Sequence, residues 1–320
     1  MQIQKAQKQR SSPGKRIIMA SISSVAPTAS GTRKDQLLAK LIDYYTLTKP
    51  EVNLLILMTT SAGYYLGGRN GFHYSGLVNT LLGTLFVASG TATLNQWMES
   101  RWDANMKRTA KRPIPSGRVS PNEALIFGLA LSVAGGAYLL LTVNALAALL
   151  AVSTLLSYLL IYTPLKRVTP LCTLLGAVPG AMPTLIGWAG SANLINRQAM
   201  LLFAILFLWQ FPHFLAIAMM YREDYEHAGY RMLPAFDRDS VFTRGEIVAF
   251  TIALILTTLL PLIGRHAPIS LTTMILAGAF MMYHSLRLAQ SASRAMASKV
   301  LHASVLYLPV VLIVLVLLKK

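Results

Sequence analysis

Long apolar runs recur along almost the whole chain and are separated by short polar segments. Nine of these runs are long enough to cross about 30 Å of hydrocarbon as helices. They lie near residues 52–68, 77–98, 123–142, 145–163, 171–189, 200–221, 246–264, 269–288 and 303–318. The third and fourth runs are joined so tightly, around Val143 and Asn144, that we expect an antiparallel helical hairpin. The pattern predicts an all-α integral membrane protein with nine transmembrane helices.

Composition supports a membrane domain and bounds what else the chain can hold. The 320 residues are 54% hydrophobic and only 13% charged, which exceeds the apolar content of ordinary soluble globules. Residues 1–36 are rich in Ser, Lys and Arg, and we expect a disordered basic cytoplasmic tail there. Residues 37–320 then form one membrane domain. The single cysteine, Cys172, excludes an intrachain disulfide and a metal site of paired thiolates.

The distribution of charge predicts how the chain crosses the membrane. With the N-terminus inside, the tail and the loops after spans two, four, six and eight hold 24 of the 29 Lys and Arg. This asymmetry satisfies the positive-inside rule and leaves the C-terminus outside. The net charge of +17 then serves topology and contacts with membrane lipids, and we expect no nucleic-acid partner. Chain length favours the cytoplasmic (inner) membrane of a bacterium, with the mitochondrial inner membrane as the alternative that a basic N-terminal segment also suits.

The acidic residues discriminate between classes of membrane protein. All 12 Asp and Glu fall in the tail or in loops and helix ends on the predicted cytoplasmic side. Ion-coupled transporters commonly carry ionisable groups near the bilayer midplane. The pattern therefore favours an enzyme with its chemistry at the cytoplasmic face.

The end of the second span carries polar residues at every fourth position, namely Asn95, Glu99 and Asp103. On a helix this spacing places three oxygen-bearing side chains on one face, over roughly 12 Å. Mg²⁺ prefers oxygen ligands and is usually held by one or two carboxylates together with substrate phosphates. The spacing predicts a magnesium site at this helix end.

Cations follow these carboxylates closely. Arg108 and Arg112 lie in a loop with prolines and a glycine after the second span, and Lys166 follows the fourth span. A diphosphate needs a metal to bridge its oxygens and cationic side chains to hold the remainder. Charged helix ends often serve topology alone, but a second loop at the same membrane face supplies Arg222 and Asp224. Two such loops favour a site for a magnesium-bound diphosphate.

These residues together resemble the first diphosphate motif of the UbiA superfamily of intramembrane prenyltransferases. Within that superfamily the chain is most similar to the enzymes that farnesylate protohaem IX. The likeness extends from about Asp43 to the last span. The matching stretches are Asn95, Glu99 and Asp103, then Met106 to Thr109, Arg112 with Pro113, and residues 162–167, 176–183, 209–214 and 224–234.

Two positions depart from the superfamily's pattern. Glu99 stands where Asp is usual, and its longer carboxylate can still bind a metal. Ala228 stands four residues after Asp224, where the second motif often has another Asp. Glu223 and Glu226 are the candidates to replace that ligand.

The resemblance implies a UbiA-type fold with its helices around a central cavity, and a Mg²⁺-dependent prenyl transfer. Farnesyl diphosphate ionises, the 2-vinyl group of protohaem IX attacks the allylic cation, and water completes haem O on the way to haem A. Haem is thus a substrate and not a cofactor. A haem A synthase or a cytochrome oxidase assembly protein is an expected partner.

The resemblance and the chemistry of the side chains together give each residue a role. Catalysis and the magnesium ion are assigned to Asn95, Glu99, Asp103 and Asp224, and the diphosphate to Arg108, Arg112, Lys166 and Arg222. His213 is a candidate haem contact or proton-transfer group. The alternative for His213 is a packed, hydrogen-bonded histidine without a direct role.

Three other functions stay open on the sequence. A UbiA-type enzyme acting on an aromatic or quinone precursor would share the magnesium and diphosphate chemistry. A lipid or isoprenoid transporter is the main non-enzyme alternative, and a haem-delivery subunit of a respiratory assembly is another.

Overall fold

The computed structural model describes residues 32–68 and 71–319, and these residues are arranged as helices joined by short loops. The helices are α1 Arg33–Leu47, α2 Pro50–Gly67, α3 Tyr74–Asp103, α4 Pro121–Thr142, α5 Ala145–Leu156, α6 Thr163–Leu165, α7 Cys172–Ala192, α8 Arg197–Met220, α9 Arg222–His227, α10 Leu233–Phe236, α11 Val241–Leu259, α12 Pro268–Gln290 and α13 Arg294–Leu317. A π-helical turn, Ser157–Tyr162, joins α5 to α6, and a 3₁₀ turn, Leu260–Leu262, follows α11. The described residues contain no strand, as an all-α fold requires.

The predicted disordered tail lies mostly outside the described residues, which begin at Thr32. Its last part is helical, because α1 begins at Arg33. The Thr32 hydroxyl donates to a carboxylate oxygen of Asp35 at 2.8 Å in the first turn of that helix. A helix therefore starts within the segment predicted as tail.

Helices occupy all nine predicted spans, but eight of them in the described residues are long and apolar enough to cross a membrane. The exception is α2, at the first predicted span. Its apolar run is interrupted by polar side chains that point into the protein, namely Asn53, Thr59 and Thr60. Eight of the nine predicted spans therefore have the length and composition of a membrane helix in the described residues. The remaining predicted span, α2, is a more polar helix.

Local sequence signals account for where α4 and α5 begin and for the tight hairpin between them. The Ser120 hydroxyl accepts from the Glu123 amide at 3.2 Å while the Glu123 carboxylate accepts from the Ser120 amide at 2.8 Å, which is a capping box. At the hairpin, Asn144 caps α5 by accepting from the Ala147 amide at 2.8 Å. The same side chain donates to the Ala189 carbonyl at 2.8 Å, and so ties the hairpin to α7.

The helix α7 lies between the two main apolar clusters of the protein. Leu185 and Trp188 belong to a large cluster formed with α8, α11, α12 and α13. Ile186 belongs to a smaller cluster with Val87 of α3 and Leu139 of α4. Because α7 is shared, it fixes the first half of the bundle against the second.

Glycines allow α2 and α7 to pack with their backbones almost in contact. A Cβ on Gly187 would lie 2.0 Å from the Thr60 carbonyl oxygen, and a Cβ on Gly63 would lie 2.2 Å from the Thr184 carbonyl oxygen. Small residues at such crossings are the usual device for close helix packing in membranes. Further along α7, Gly176 and Gly180 leave room for Tyr162 and Gln210.

This crossing gives a direct test of the packing. We expect Gly187→Ala to lower the free energy of unfolding by about 1–3 kcal/mol, because the added methyl group meets backbone atoms that cannot move aside. The matched control is Gly245→Ala on α11, where an added Cβ has nothing within 4 Å. Thermal unfolding in detergent measures both, and equal midpoints for the two variants would contradict the packing argument.

Candidate functional site

The three polar residues at the end of α3 lie on one buried face of that helix. Asn95 is 1% exposed, Glu99 5% and Asp103 2%. The Asn95 amide nitrogen donates to one Glu99 carboxylate oxygen at 2.9 Å, so neighbouring turns are bonded to each other. A buried polar face of this kind requires partners, because unpaired polar groups are costly away from water.

Lys166 is the ionic partner of Glu99. Its ammonium nitrogen lies 2.9 Å from the second Glu99 carboxylate oxygen. The π-helical turn that precedes α6 brings this part of the chain against α3, where the Thr163 hydroxyl also accepts from the Asn95 amide at 3.2 Å. Burial alone would lower the pKa of Lys166, but the paired Glu99 carboxylate raises it above its usual value. Lys166 is therefore a fixed cation.

Asp103 receives its cation from the loop that follows it directly. Arg112 donates to an Asp103 carboxylate oxygen at 2.5 Å. The Thr109 hydroxyl donates to the Asp103 carbonyl at 2.9 Å and closes the loop back onto the helix end. The sequence neighbours of Asp103 thus fold over it.

The segment that follows α8 carries the second group of acidic residues, and it contacts the same end of the bundle through apolar and backbone contacts. Met106 of the first loop packs with Ala228 and Tyr230 of the second in a small buried cluster. The Arg231 amide donates to the Lys166 carbonyl at 2.8 Å. Burial, and after it the neighbouring Glu99 carboxylate, raise the pKa of Tyr230. The two loops therefore meet around the polar face of α3.

Three of the predicted site residues lie away from this buried group. The Arg108 guanidinium lies over the Tyr221 ring, 5.8 Å from its centroid. Arg222 pairs with Glu226 at 3.0 Å along its own helix. Asp224 is half-buried on α9. Within residues 32–68 and 71–319, no three His, Cys, Asp or Glu side chains form a group that could hold a metal ion, so Asp224 does not join Glu99 and Asp103.

His213 lies on α8 and has local partners. Its Nδ1 is 2.9 Å from the Ser304 hydroxyl of α13. Its ring stacks on Trp209, with 4.5 Å between centroids. These contacts fit a packed histidine, and a contact with haem stays a prediction.

The residue that the sequence analysis missed is Lys49. Its ammonium nitrogen donates to the Asn95 amide oxygen at 3.0 Å. Burial, and then the charges of Arg112 and Lys166, lower the pKa of Lys49 to about 7. In the sequence Lys49 stands directly before the proline that opens the first predicted span, which is how a topology charge also looks.

The chemistry of this group suits a magnesium-bound diphosphate. One amide and two carboxylates offer oxygen ligands on one helix face, and Mg²⁺ commonly uses one or two carboxylates and completes its shell with water and phosphate oxygens. The nearby Lys166 and Arg112 suit phosphate oxygens. The residues present therefore fit the metal and its substrate.

Comparison with known proteins identifies relatives along most of the chain. Residues 56–308 match the UbiA prenyltransferase family. A curated protoheme IX farnesyltransferase of Solibacter usitatus is 47% identical over 84% of this chain and 96% of the relative. Another, from Koribacter versatilis, is 42% identical over 87% of this chain and 93% of the relative.

Solved structures share the fold at low sequence identity. A structure of a digeranylgeranylglyceryl phosphate synthase is 18% identical with a TM-score of 0.73, over 88% of this chain and 99% of that one. A UbiA homologue from Archaeoglobus fulgidus, bound to GPP and Mg²⁺, is 15% identical with a TM-score of 0.59, over 85% of this chain and 99% of that one. The predicted fold class is confirmed.

The buried pair of Lys166 and Glu99 yields a stability prediction. Lys166→Met leaves the Glu99 carboxylate without its cation, so we expect a loss of about 3–5 kcal/mol in unfolding free energy. The double variant Lys166→Met with Glu99→Gln should recover most of that loss, since neither side chain is then charged. Thermal unfolding provides the measurement.

The control is Arg222→Met, which removes the partly exposed pair with Glu226 and should cost under about 1 kcal/mol. If the double variant is no more stable than Lys166→Met alone, the stranded carboxylate is not the cause.

Proposed function

This chain belongs to the UbiA prenyltransferase family, and we propose that it transfers the farnesyl group of farnesyl diphosphate to the 2-vinyl group of protohaem IX. Addition of water gives haem O, and diphosphate is released. The observation that carries the proposal is the buried polar face of Asn95, Glu99 and Asp103, with Lys166 and Arg112 beside it. The acceptor is proposed from the curated relatives, which are named protoheme IX farnesyltransferase.

The proposed reaction begins with departure of the diphosphate. The bond between farnesyl C1 and the diphosphate oxygen breaks, and its electron pair stays with the oxygen. The vinyl π electrons then form the new carbon–carbon bond to the allylic cation. Water adds to the resulting cationic carbon and loses a proton, which leaves the hydroxyl group of haem O.

The residues at the end of α3 would promote the first of these steps. Asn95, Glu99 and Asp103 would hold Mg²⁺, which when bound would supply positive charge that favours departure of the diphosphate. Lys166 and Arg112 would stabilise the negative charge that grows on the leaving diphosphate. Because Lys166 is buried and Arg112 is partly buried, both already beside the site, little reorganisation is needed as the charge develops. Burial also keeps bulk water from the allylic cation.

Four other residues have secondary roles in the proposed function, namely Asp224, Arg108, Arg222 and His213. Asp224 stands on α9, and its participation would need α9 to bring the Asp224 carboxylate closer to Glu99 and Asp103. Arg108 and Arg222 lie at the same end of the bundle and are proposed to contact the diphosphate from outside the buried group. His213, in α8, remains proposed as a haem contact.

The location follows from charge. We propose the cytoplasmic membrane of a bacterium, with the N-terminus and the site facing the cytoplasm and the C-terminus outside. The support is that all 12 carboxylates and 24 of the 29 Lys and Arg lie on that predicted side. A haem A synthase or an oxidase assembly protein that accepts haem O is the proposed partner.

The experiment is a transfer assay with purified protein, protohaem IX, farnesyl diphosphate and Mg²⁺, with the haems identified by mass spectrometry. We expect haem O to form, and removal of Mg²⁺ by a chelator to stop its formation. Asp103→Asn removes the charge of a proposed metal ligand and should lower the rate by at least about a hundredfold.

Asp239→Asn is the control, because Asp239 is an exposed carboxylate in the loop between α10 and α11. Its rate should match that of the unaltered protein. Consumption of farnesyl diphosphate only with an aromatic or quinone precursor would move the assignment to another acceptor. Absence of turnover with every acceptor would count against an enzyme.

A further inference from the structure

Lys49 has an unusual backbone conformation for a residue with a side chain. Its φ and ψ are 52° and 64°, in the left-handed region, and it directly precedes Pro50. A Cβ makes this region unfavourable, and the following proline restricts the backbone further. Among the described residues, only Asn193 and Ser240 share a positive φ without being glycine. Such strain persists where the surrounding structure enforces it, and it is found at functional sites.

The helix α3 and its neighbour α2 enforce the conformation of Lys49. The Gln96 side chain donates to the Leu47 carbonyl at 2.8 Å. The Asn53 side chain donates to the Thr48 carbonyl at 2.9 Å and to the Ser89 hydroxyl at 2.8 Å. These hydrogen bonds hold the two carbonyls that precede Lys49. The turn therefore aims the Lys49 side chain at the end of α3.

The Lys49 ammonium is hydrogen-bonded to the Asn95 side-chain oxygen, which is the atom that would ligate a metal. It donates to the Asn95 amide oxygen, while the Asn95 amide nitrogen is turned towards Glu99 and Thr163. Only the oxygen of an amide can ligate Mg²⁺. An ammonium and a divalent cation repel each other at such short range, so Lys49 would have to leave this oxygen if Asn95 held the metal.

Charge indicates where the ammonium then goes. The Glu99 and Asp103 carboxylates already have Lys166 and Arg112 as partners at 2.9 and 2.5 Å. When Lys49 is protonated, the group of Lys49, Lys166 and Arg112 with Glu99 and Asp103 carries one positive charge in excess. A fully ionised prenyl diphosphate with one Mg²⁺ carries one negative charge in excess. The diphosphate is the new anion within reach of Lys49.

We propose that Lys49 is a further diphosphate-binding residue, and that its ammonium exchanges the Asn95 amide oxygen for a diphosphate oxygen when the magnesium-bound substrate enters. This inference rests on the proposed function and adds a residue to its substrate site. The strained turn keeps the ammonium at the site before substrate arrives and limits how far it must move.

The test measures binding of inorganic pyrophosphate at saturating Mg²⁺, by calorimetry on the purified full-length protein. Lys49→Gly removes the ammonium and also removes the Cβ that makes the turn unfavourable. We expect its Kd to rise by about tenfold or more, as for loss of one charge-assisted hydrogen bond. Its thermal midpoint should equal or exceed that of the unaltered protein. Lys49→Arg keeps a cation and should bind within about threefold.

The matched control is Asn193→Gly, which relieves a left-handed residue with φ 51° at the end of α7 without altering the charged group. Its pyrophosphate affinity should be unchanged. If Lys49→Gly lowers the thermal midpoint, Lys49→Asn replaces it, since asparagine tolerates the same backbone region.

Three outcomes would overturn the inference. One is an uncharged Lys49 variant that folds and binds pyrophosphate as the unaltered protein does. Another is a variant that needs more Mg²⁺ but has unchanged affinity at saturating Mg²⁺, which would make Lys49 a positioning residue for Asn95. The third is an equal loss in Lys49→Arg. Failure of the unaltered protein to bind pyrophosphate with Mg²⁺ would instead count against the proposed function.

Discussion

Ionised side chains can be buried at a helix end only where each is paired with an opposite charge or satisfied by hydrogen bonds. The buried face of α3 carries two carboxylates, and their partners come from two different parts of the chain. Arg112 is supplied by the loop directly after α3, whereas Lys166 lies beyond two further helices. The hairpin of α4 and α5 returns the chain to the end of α3, where Lys166 pairs with Glu99. Burial of these charges therefore requires a fold that brings Lys166 back to α3.

The same arrangement explains how one site can serve both stability and chemistry. Pairing between carboxylates and cations neutralises charge that would otherwise be costly inside the protein. The cations that perform this task are also the groups that a diphosphate would bind, and the carboxylates are the groups that Mg²⁺ would bind. Substrate and metal can therefore replace one set of ion pairs by another of similar total charge. The site remains balanced on both sides of that exchange.

Much of this could be predicted from the sequence, and the failures have physical causes. The face of Asn95, Glu99 and Asp103 follows from helical periodicity, and the hairpin at Asn144 follows from the short connection and its capping residue. The first span was assigned from its apolar run, yet its buried polar residues make α2 a poor membrane helix by composition. Asp224 carries the expected charge, but its distance from Glu99 and Asp103 depends on how a loop packs. Lys49 contacts Asn95 across 46 positions, and no local pattern distinguishes that contact from a topology charge.

The π-helical turn at Ser157–Tyr162 has a consequence for the length of the chain at this point. A π turn is an α-helix that accommodates one additional residue, and each residue advances an α-helix by about 100°. Everything after the turn is therefore rotated relative to an uninterrupted helix, and this rotation directs Thr163 and Lys166 to α3. One residue more or fewer between Asn144 and Lys166 would rotate this face by about 100°. We therefore expect the length of this segment to matter more to the site than the identity of its lipid-facing side chains.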